Sequence, residues 1–95
     1  MLKEKKLDLI VKRREILFKC THRGTKELDL LLGSYVKKYI NSMNFNDLND
    51  LNTILNFPDS YLFKVLTNKI SVDKKMNVKL VNKIIIFNKR INKYV

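Results

Sequence analysis

One cysteine, one histidine, one proline, two glycines and no tryptophan occur in 95 residues, and each scarcity removes a class of explanation. The lone Cys20 excludes an internal disulfide, and with His22 as the single histidine it leaves too few ligands for a Cys/His zinc site. Cys20 and His22 stand two residues apart, yet no strand-to-helix elbow or oxyanion-binding turn surrounds them, so no nucleophilic catalysis is expected. Gly24 and Gly33 are too far apart to form a phosphate-cradling turn. The longest unbroken apolar run, Ile84 to Phe87, is four residues, against the ~20 needed to cross a bilayer. The opening stretch MLKEKKLDLIVKRRE contains Glu4, Asp8 and Glu15 and has no continuous apolar segment, so neither a secretory signal nor a transit peptide is expected. Acidic residues are also few: nine Asp and Glu against twenty Lys and Arg leave a formal charge of +11. Such a surface attracts anionic partners, whether nucleic acid, lipid or an acidic protein face. The Lys, Asn and Ile enrichment of runs such as NKIIIFNKRINKY is also what an AT-rich genome produces, which weakens charge as evidence for nucleic acid.

What remains is a chain sized for one domain, residues 1–95, whose 45% hydrophobic content suffices for one core. Leu7, Ile10, Val11, Leu17 and Phe18 recur at helical spacing and predict a first helix ending near His22–Gly24. Gly24 or Thr25 then opens a second helix, in which Leu28, Leu31, Leu32, Tyr35, Val36 and Tyr39 form the strongest periodic signal. Asn46 or Asp47 is the expected cap of a third helix with Leu48, Leu51, Ile54 and Leu55, which Pro58 ends. Asp59 or Ser60 is expected to cap a fourth with Tyr61, Leu62, Val65 and Leu66 facing inward. Ser71 or Asp73 opens the last, running through Leu80, Ile84, Phe87 and Ile91, beyond which the final residues fray. The fold class is all-α: a small bundle of about five helices with short connections.

The segment His22 to Asp29 does not read as packing alone. On a helical wheel Leu28, Leu31, Leu32, Tyr35 and Tyr39 share one side, which leaves Glu27 and Leu30 facing outward. Arg23 and Gly24 stand beside them, so an arginine, a glycine, a glutamate and an exposed leucine form one patch. On composition alone this patch is a solvated ion pair with a loop glycine and a stray leucine.

Residues 14–33 resemble the SdhE family, the FAD assembly factors of succinate dehydrogenase. Arg23, Gly24 and Glu27 match its Arg-Gly-x-x-Glu motif between the first two helices, and Asp29 to Gly33 match the Asp-Leu-Leu-Leu-Gly-like run that follows. A second family block, an acidic residue and Leu-Phe before Trp-Leu, is similar to Asp59 to Leu66, with Val65 in place of the tryptophan. Thr21 stands where many members have another arginine. The resemblance implies a small helical assembly factor, or chaperone, of respiratory complex II. Such a protein binds the flavoprotein subunit of succinate dehydrogenase, or of fumarate reductase in some bacteria. It promotes covalent attachment of FAD to a histidine of that subunit without being the catalyst. The implied partner-binding residues are Arg23, Gly24, Glu27 and Leu30, with Arg14 and His22 beside them. Gly24 would allow close backbone approach, Glu27 would accept hydrogen bonds or orient Arg23, and Lys12, Arg13, Arg14 and Lys26 would steer the encounter.

FAD is then attached to the partner, and no stably bound cofactor or metal is expected on this chain. Tyr35 and Tyr39 read as core rather than as a flavin-stacking pair, Cys20 as a packed side chain and His22 as an exposed turn residue. A monomer in a reducing compartment such as the bacterial cytoplasm is expected, with no nucleic-acid partner and no membrane insertion. The alternative is a basic helical nucleic-acid-binding module using Lys74 to Lys93 of the last helix. A membrane-surface protein ranks behind it, because the last helix has no tryptophan anchor and carries Lys and Asn on several sides.

Overall fold

The computed structural model describes residues 2–91, with side chains from residue 6 onward. Five α-helices follow one another: α1 (Leu2–Thr21), α2 (Lys26–Tyr39), α3 (Phe45–Leu55), α4 (Asp59–Leu66) and α5 (Val78–Ile91). A single 3-10 turn, Ile40–Ser42, joins α2 to α3. No strand occurs among the described residues, and the all-α bundle of five helices is as the periodicity predicts. The expected fraying of the C-terminus falls on residues 92–95, outside the described residues.

Helix α2 is the central element, packing against α1, α4 and α5, while α1 also lies on α3. Its Leu28, Leu31, Leu32 and Val36 are fully buried, at the spacing that makes one helix face continuous. The α1–α2 crossing is close because Gly33 has no side chain. A Cβ there would lie 3.1 Å from Cγ2 of Thr21 and 3.7 Å from the Cys20 carbonyl oxygen. Leu48, Leu51 and Ile54 of α3, Leu62 and Leu66 of α4, and Val81 and Ile84 of α5 complete the core.

Helix ends depart from expectation where a neighbouring residue offers a better hydrogen-bond partner. Helix α3 is capped by Asn44 rather than Asn46 or Asp47, because Asn44 and Asp47 form a reciprocal capping box. Pro58, without a side-chain bond, occupies the cap position of α4, and Asp59 turns elsewhere. Helix α5 starts at Val78, not at Ser71 or Asp73. There Asp73 instead closes a turn, its carboxylate accepting the Lys75 N–H at 2.8 Å and its carbonyl the Met76 N–H at 3.0 Å. Asn77 then accepts the Leu80 N–H at 3.1 Å and opens the helix. Asn68, at φ 62°, takes the left-handed position that ends α4.

The largest correction concerns α1. Leu7 and Phe18 are each 62% exposed, and Ile10 and Val11 are exposed as well. The buried positions of α1 are Ile16 and Cys20, with Leu9 and Leu17 partly covered. This helix has two apolar faces, and its more obvious one points to solvent. Ile91 is likewise exposed, and Val81, Ile84, Ile85 and Asn88 form the inward side of α5. Tyr35 is buried, whereas Tyr39 lies at the edge, its ring centroid 4.8 Å from that of Tyr35 and 5.9 Å from that of Phe87.

Candidate functional site

The corner between α1 and α2 is closed by two carboxylates reaching it from different helices. Thr25 caps α2, its hydroxyl accepting the Leu28 N–H at 3.3 Å. One turn on, Asp29 reaches back to accept the Arg23 N–H at 2.5 Å. The next N–H, that of Gly24, donates to Oδ2 of Asp59 at 2.9 Å. Consecutive backbone donors that a tight corner would leave unpaired are thereby satisfied.

Asp59 also holds the Arg23 side chain. Nε of Arg23 donates to Oδ1 at 2.8 Å, and Nη2 lies 2.6 Å from the same oxygen. Nη1 and Nη2 further donate to the carbonyls of Leu55, at 2.7 Å, and Phe57, at 3.1 Å. The guanidinium thus sits on the carbonyls that end α3, and the carboxylate lies in the first turn of α4. Each charge is therefore on the helix end whose dipole favours it. The planar five-donor fork of arginine is what allows one side chain to span a carboxylate and two carbonyls. Burial pushes the Asp59 carboxyl up, but the Gly24 N–H, then the hydrogen bond and charge of Arg23, outweigh it and hold it below the ordinary value of 3.8.

This arrangement sorts the motif. Arg23 is largely buried and turned inward, and Glu27 is not among the partners of its guanidinium. The expectation that Glu27 orients Arg23 gives way to Asp59, which is both nearer and placed at a helix N-terminus. Gly24 has no positive φ. A Cβ there would lie 2.9 Å from Oδ2 of Asp59, so a side chain at this position would push on the carboxylate that accepts the Gly24 N–H. The close approach expected at Gly24 is made by this chain's own carboxylate.

Glu27 is half-buried and makes no hydrogen bond or ion pair among the described residues, and Leu30 is 46% exposed. Leu30 lies on the side of α2 away from the core and Glu27 on its flank, at the angles the wheel predicts. Arg14 is exposed on α1. His22 is exposed and stacks on Phe18, ring centroids 4.0 Å apart, with Nδ1 3.0 Å from the Phe18 carbonyl oxygen. Arg13, expected to steer a partner, instead donates to the Met43 carbonyl through Nε at 3.1 Å and Nη2 at 2.8 Å. Cys20 is buried against the corner, where burial pushes its thiol up to about 12 against a smaller opposite pull from Arg23. The thiol stays protonated and inert.

Sequence reasoning missed the two roles of Asp59. Its signal was a carboxylate directly after Pro58 that the helix start does not consume, together with an arginine in need of a counter-charge. A concavity of about 560 Å³ lies elsewhere, between Tyr35, Tyr39 and Phe87 and the α5 cations Lys79, Lys83 and Arg90. None of the corner residues lines it. Among the described residues no helix is long and apolar enough to cross a membrane, and no cluster of His, Cys, Asp and Glu is arranged to hold a metal ion.

Comparison with known proteins gives this geometry a context. The FAD assembly factor SdhE of Acetobacter pasteurianus is 32% identical over 68 residues, covering 72% of this chain and 62% of that protein. The mitochondrial succinate dehydrogenase assembly factor 2 of Arabidopsis thaliana is 41% identical over 61 residues, 61% of this chain and 32% of the relative. Its counterpart in Dictyostelium discoideum is 31% identical over 68 residues, 72% of this chain and 48% of the relative. The chain therefore spans less than two thirds of the length of each of these relatives. No solved structure matches it. The Sdh5 family, described as the flavinator of succinate dehydrogenase, matches residues 14–88, which include the whole corner from Arg23 to Asp59, and the chain belongs to that family.

Proposed function

We propose that this protein binds the flavoprotein subunit of succinate dehydrogenase and promotes covalent attachment of FAD to it, acting as an assembly factor and not as the catalyst. The observation that carries the proposal is the division of labour at the corner. Arg23, Gly24, Asp29 and Asp59 are bonded among themselves and to the carbonyls of Leu55 and Phe57, while Glu27 makes no hydrogen bond or ion pair among the described residues and Leu30 is exposed on α2. A charged acceptor beside an exposed leucine, fixed by a closed hydrogen-bond network, is the kind of pre-ordered contact that a protein interface uses. The relatives named for FAD assembly and for succinate dehydrogenase assembly support the same reading.

The reaction itself joins the flavin to the subunit's own histidine, and its rate depends on how often that subunit holds the two in reacting geometry. A helper that binds the productive arrangement better than the others raises its population by its difference in affinity. No flavin need be bound by this chain. Its two glycines are occupied in packing, Gly33 at the α1–α2 crossing and Gly24 under Asp59, so neither supplies a phosphate cradle. When free the protein is a monomer in a reducing compartment such as the bacterial cytoplasm, and its action involves neither nucleic-acid binding nor membrane insertion.

The test is the flavin fluorescence of the denatured flavoprotein subunit, produced with this protein, without it, and with its Glu27→Ala and Leu30→Asp variants. Covalent flavin that requires the wild type and falls with each variant is the expected result. Covalent flavin of equal yield with and without the protein overturns the proposal.

A further inference from the structure

The concavity of about 560 Å³ between α2, the start of α3 and α5 shares no residue with the corner. Its floor is aromatic: the ring centroids of Tyr35 and Phe87 lie 5.6 Å apart, and Tyr39 leans on both with 37% of its surface open. Tyr35 is only 7% exposed, yet its hydroxyl makes no hydrogen bond among the described residues, although a buried phenol ordinarily finds a partner. Burial raises its pKa above the ordinary 10.0, and Tyr39 and Asp47, which line the same hollow, raise it further, so the group faces that side as a neutral donor. On the α5 wall Lys79, Lys83 and Arg90 fall within about 40° of one another at 100° per residue. The one ion pair among the described residues, Arg23–Asp59, involves none of them. Lys38 sets another ammonium 5.6 Å from the centroids of Tyr39 and Phe87. On the facing wall Asp47 and Asp50 each accept through Oδ2 alone, from the Asn44 N–H at 3.0 Å and the Asn77 amide at 2.9 Å, which leaves Oδ1 open on both.

We infer that this concavity is a binding site for a small molecule that joins an aromatic ring bearing N–H donors to a phosphate, the chemistry of a purine nucleotide. Its volume falls in the range of about 300–1,000 Å³ that small-ligand sites occupy. Each part of such a ligand meets a group the fold leaves open. Lys83 stands one turn before Phe87 and Arg90 about one turn after it, so a ring lying on Phe87 and Tyr39 has a cation on either side for its phosphate. A phosphate held by side-chain cations needs no glycine-rich turn. The open oxygens of Asp47 and Asp50 accept the ring's N–H groups, and the Tyr35 phenol donates to an acceptor of the ligand. Those two carboxylates disfavour a uniformly anionic partner such as a nucleic-acid backbone or an acidic peptide. The cations disfavour a second copy of a chain whose formal charge is +11. None of the corner residues takes part, so the site stands apart from the function proposed above.

The experiment titrates the full chain with adenosine 5′-monophosphate by calorimetry at low salt, with adenosine and inorganic phosphate as its two partial ligands. It is repeated with Tyr35→Phe, which removes one oxygen atom, and with a double variant, Lys83→Gln and Arg90→Gln, at two exposed positions. Circular dichroism and thermal midpoints verify that both variants fold. The expected result is one saturable site for the nucleotide, tighter by about 10-fold or more than for adenosine or phosphate. Binding is expected to weaken about 5-fold in Tyr35→Phe and about 30-fold in the double variant. No saturable binding of the nucleotide overturns the inference. Phosphate binding as tightly as the nucleotide overturns it as well, because the hollow then reads charge alone. Wild-type affinity in either folded variant places the nucleotide elsewhere, with the same consequence. Poly-glutamate that binds where the nucleotide does not, and loses affinity in the double variant, assigns the α5 wall to an acidic protein segment and overturns the inference.

Discussion

Arg23 gathers more of the structure than any other polar side chain in the corner, because one guanidinium joins the ends of α3 and α4 to the α1–α2 turn. Replacing it with alanine leaves two carbonyls and Oδ1 of Asp59 without their donor. The expected loss is about 2 kcal/mol, or a thermal midpoint lower by about 10 °C. Arg23→Lys restores little of this, since an ammonium cannot span the same three acceptors. Thermal unfolding of the two variants beside the wild type checks both statements. Glu27→Ala is expected within about 0.5 kcal/mol of wild type in the same melts, because Glu27 supports nothing internal. Cys20 gives a further check: with its thiol near 12 and buried, alkylation by iodoacetamide at pH 8 is expected to be about 100-fold or more slower in the native protein than in denaturant. Motif spacing located these residues but assigned their roles only in part. An Arg-Gly-x-x-Glu string shows which residues are near one another in the chain, whereas the direction of Arg23 is decided by Asp59, 36 residues away.

Helices were legible where their apolar period matched the face they bury, and illegible where a second pattern competed. Helix α2 has one apolar face, and its boundaries follow from Thr25 and from the reversal before it. Helix α1 has two, and spacing alone favours the wrong one because Leu7, Ile10 and Val11 already repeat at helical spacing, whereas the inward side has only Leu9 before Ile16. The caps of α3 and α5 were misplaced by two to six residues for a common reason: Asn44, Asp73 and Asn77 each compete for backbone N–H groups, and the reciprocal Asn44–Asp47 pair outcompetes a single cap. Asn88 was not anticipated at all. It is fully buried in α5, and its Nδ2 donates to the carbonyls of Leu31 and Ile84, each at 2.9 Å, fixing α5 against α2. At the end of α4 the left-handed Asn68 offers a prediction at this scale. Asn68→Val places a β-branched residue at φ 62° and is expected to cost about 1–2 kcal/mol in a chemical denaturation curve, while Asn68→Gly retains or slightly raises stability.

For the whole molecule, charge and the corner make separate predictions about solution conditions. The Asp59 carboxyl is held below 3.8 in the fold, so its contribution to stability is fully present above the ordinary carboxylate value and is lost as pH falls through the lowered one. Melts of wild type and Asp59→Asn are therefore expected to differ most near neutral pH and to converge below about pH 4. The formal charge of +11 speeds encounter with an acidic partner, so association with the flavoprotein subunit is expected to slow as salt rises, with a smaller change in dissociation. The account's central claim is that the corner built by Arg23, Gly24 and Asp59 holds Glu27 and Leu30 in place for that partner. The measurement that tests it most directly is covalent flavin yield for the wild type, Arg23→Ala and Glu27→Ala, each plotted against its own folded fraction over a range of temperatures. The account predicts that at equal folded fraction both variants stay below wild type, Glu27→Ala because the contact itself is gone and Arg23→Ala because the corner that holds it is gone. A fully folded Glu27→Ala protein that supports wild-type flavin attachment would contradict it.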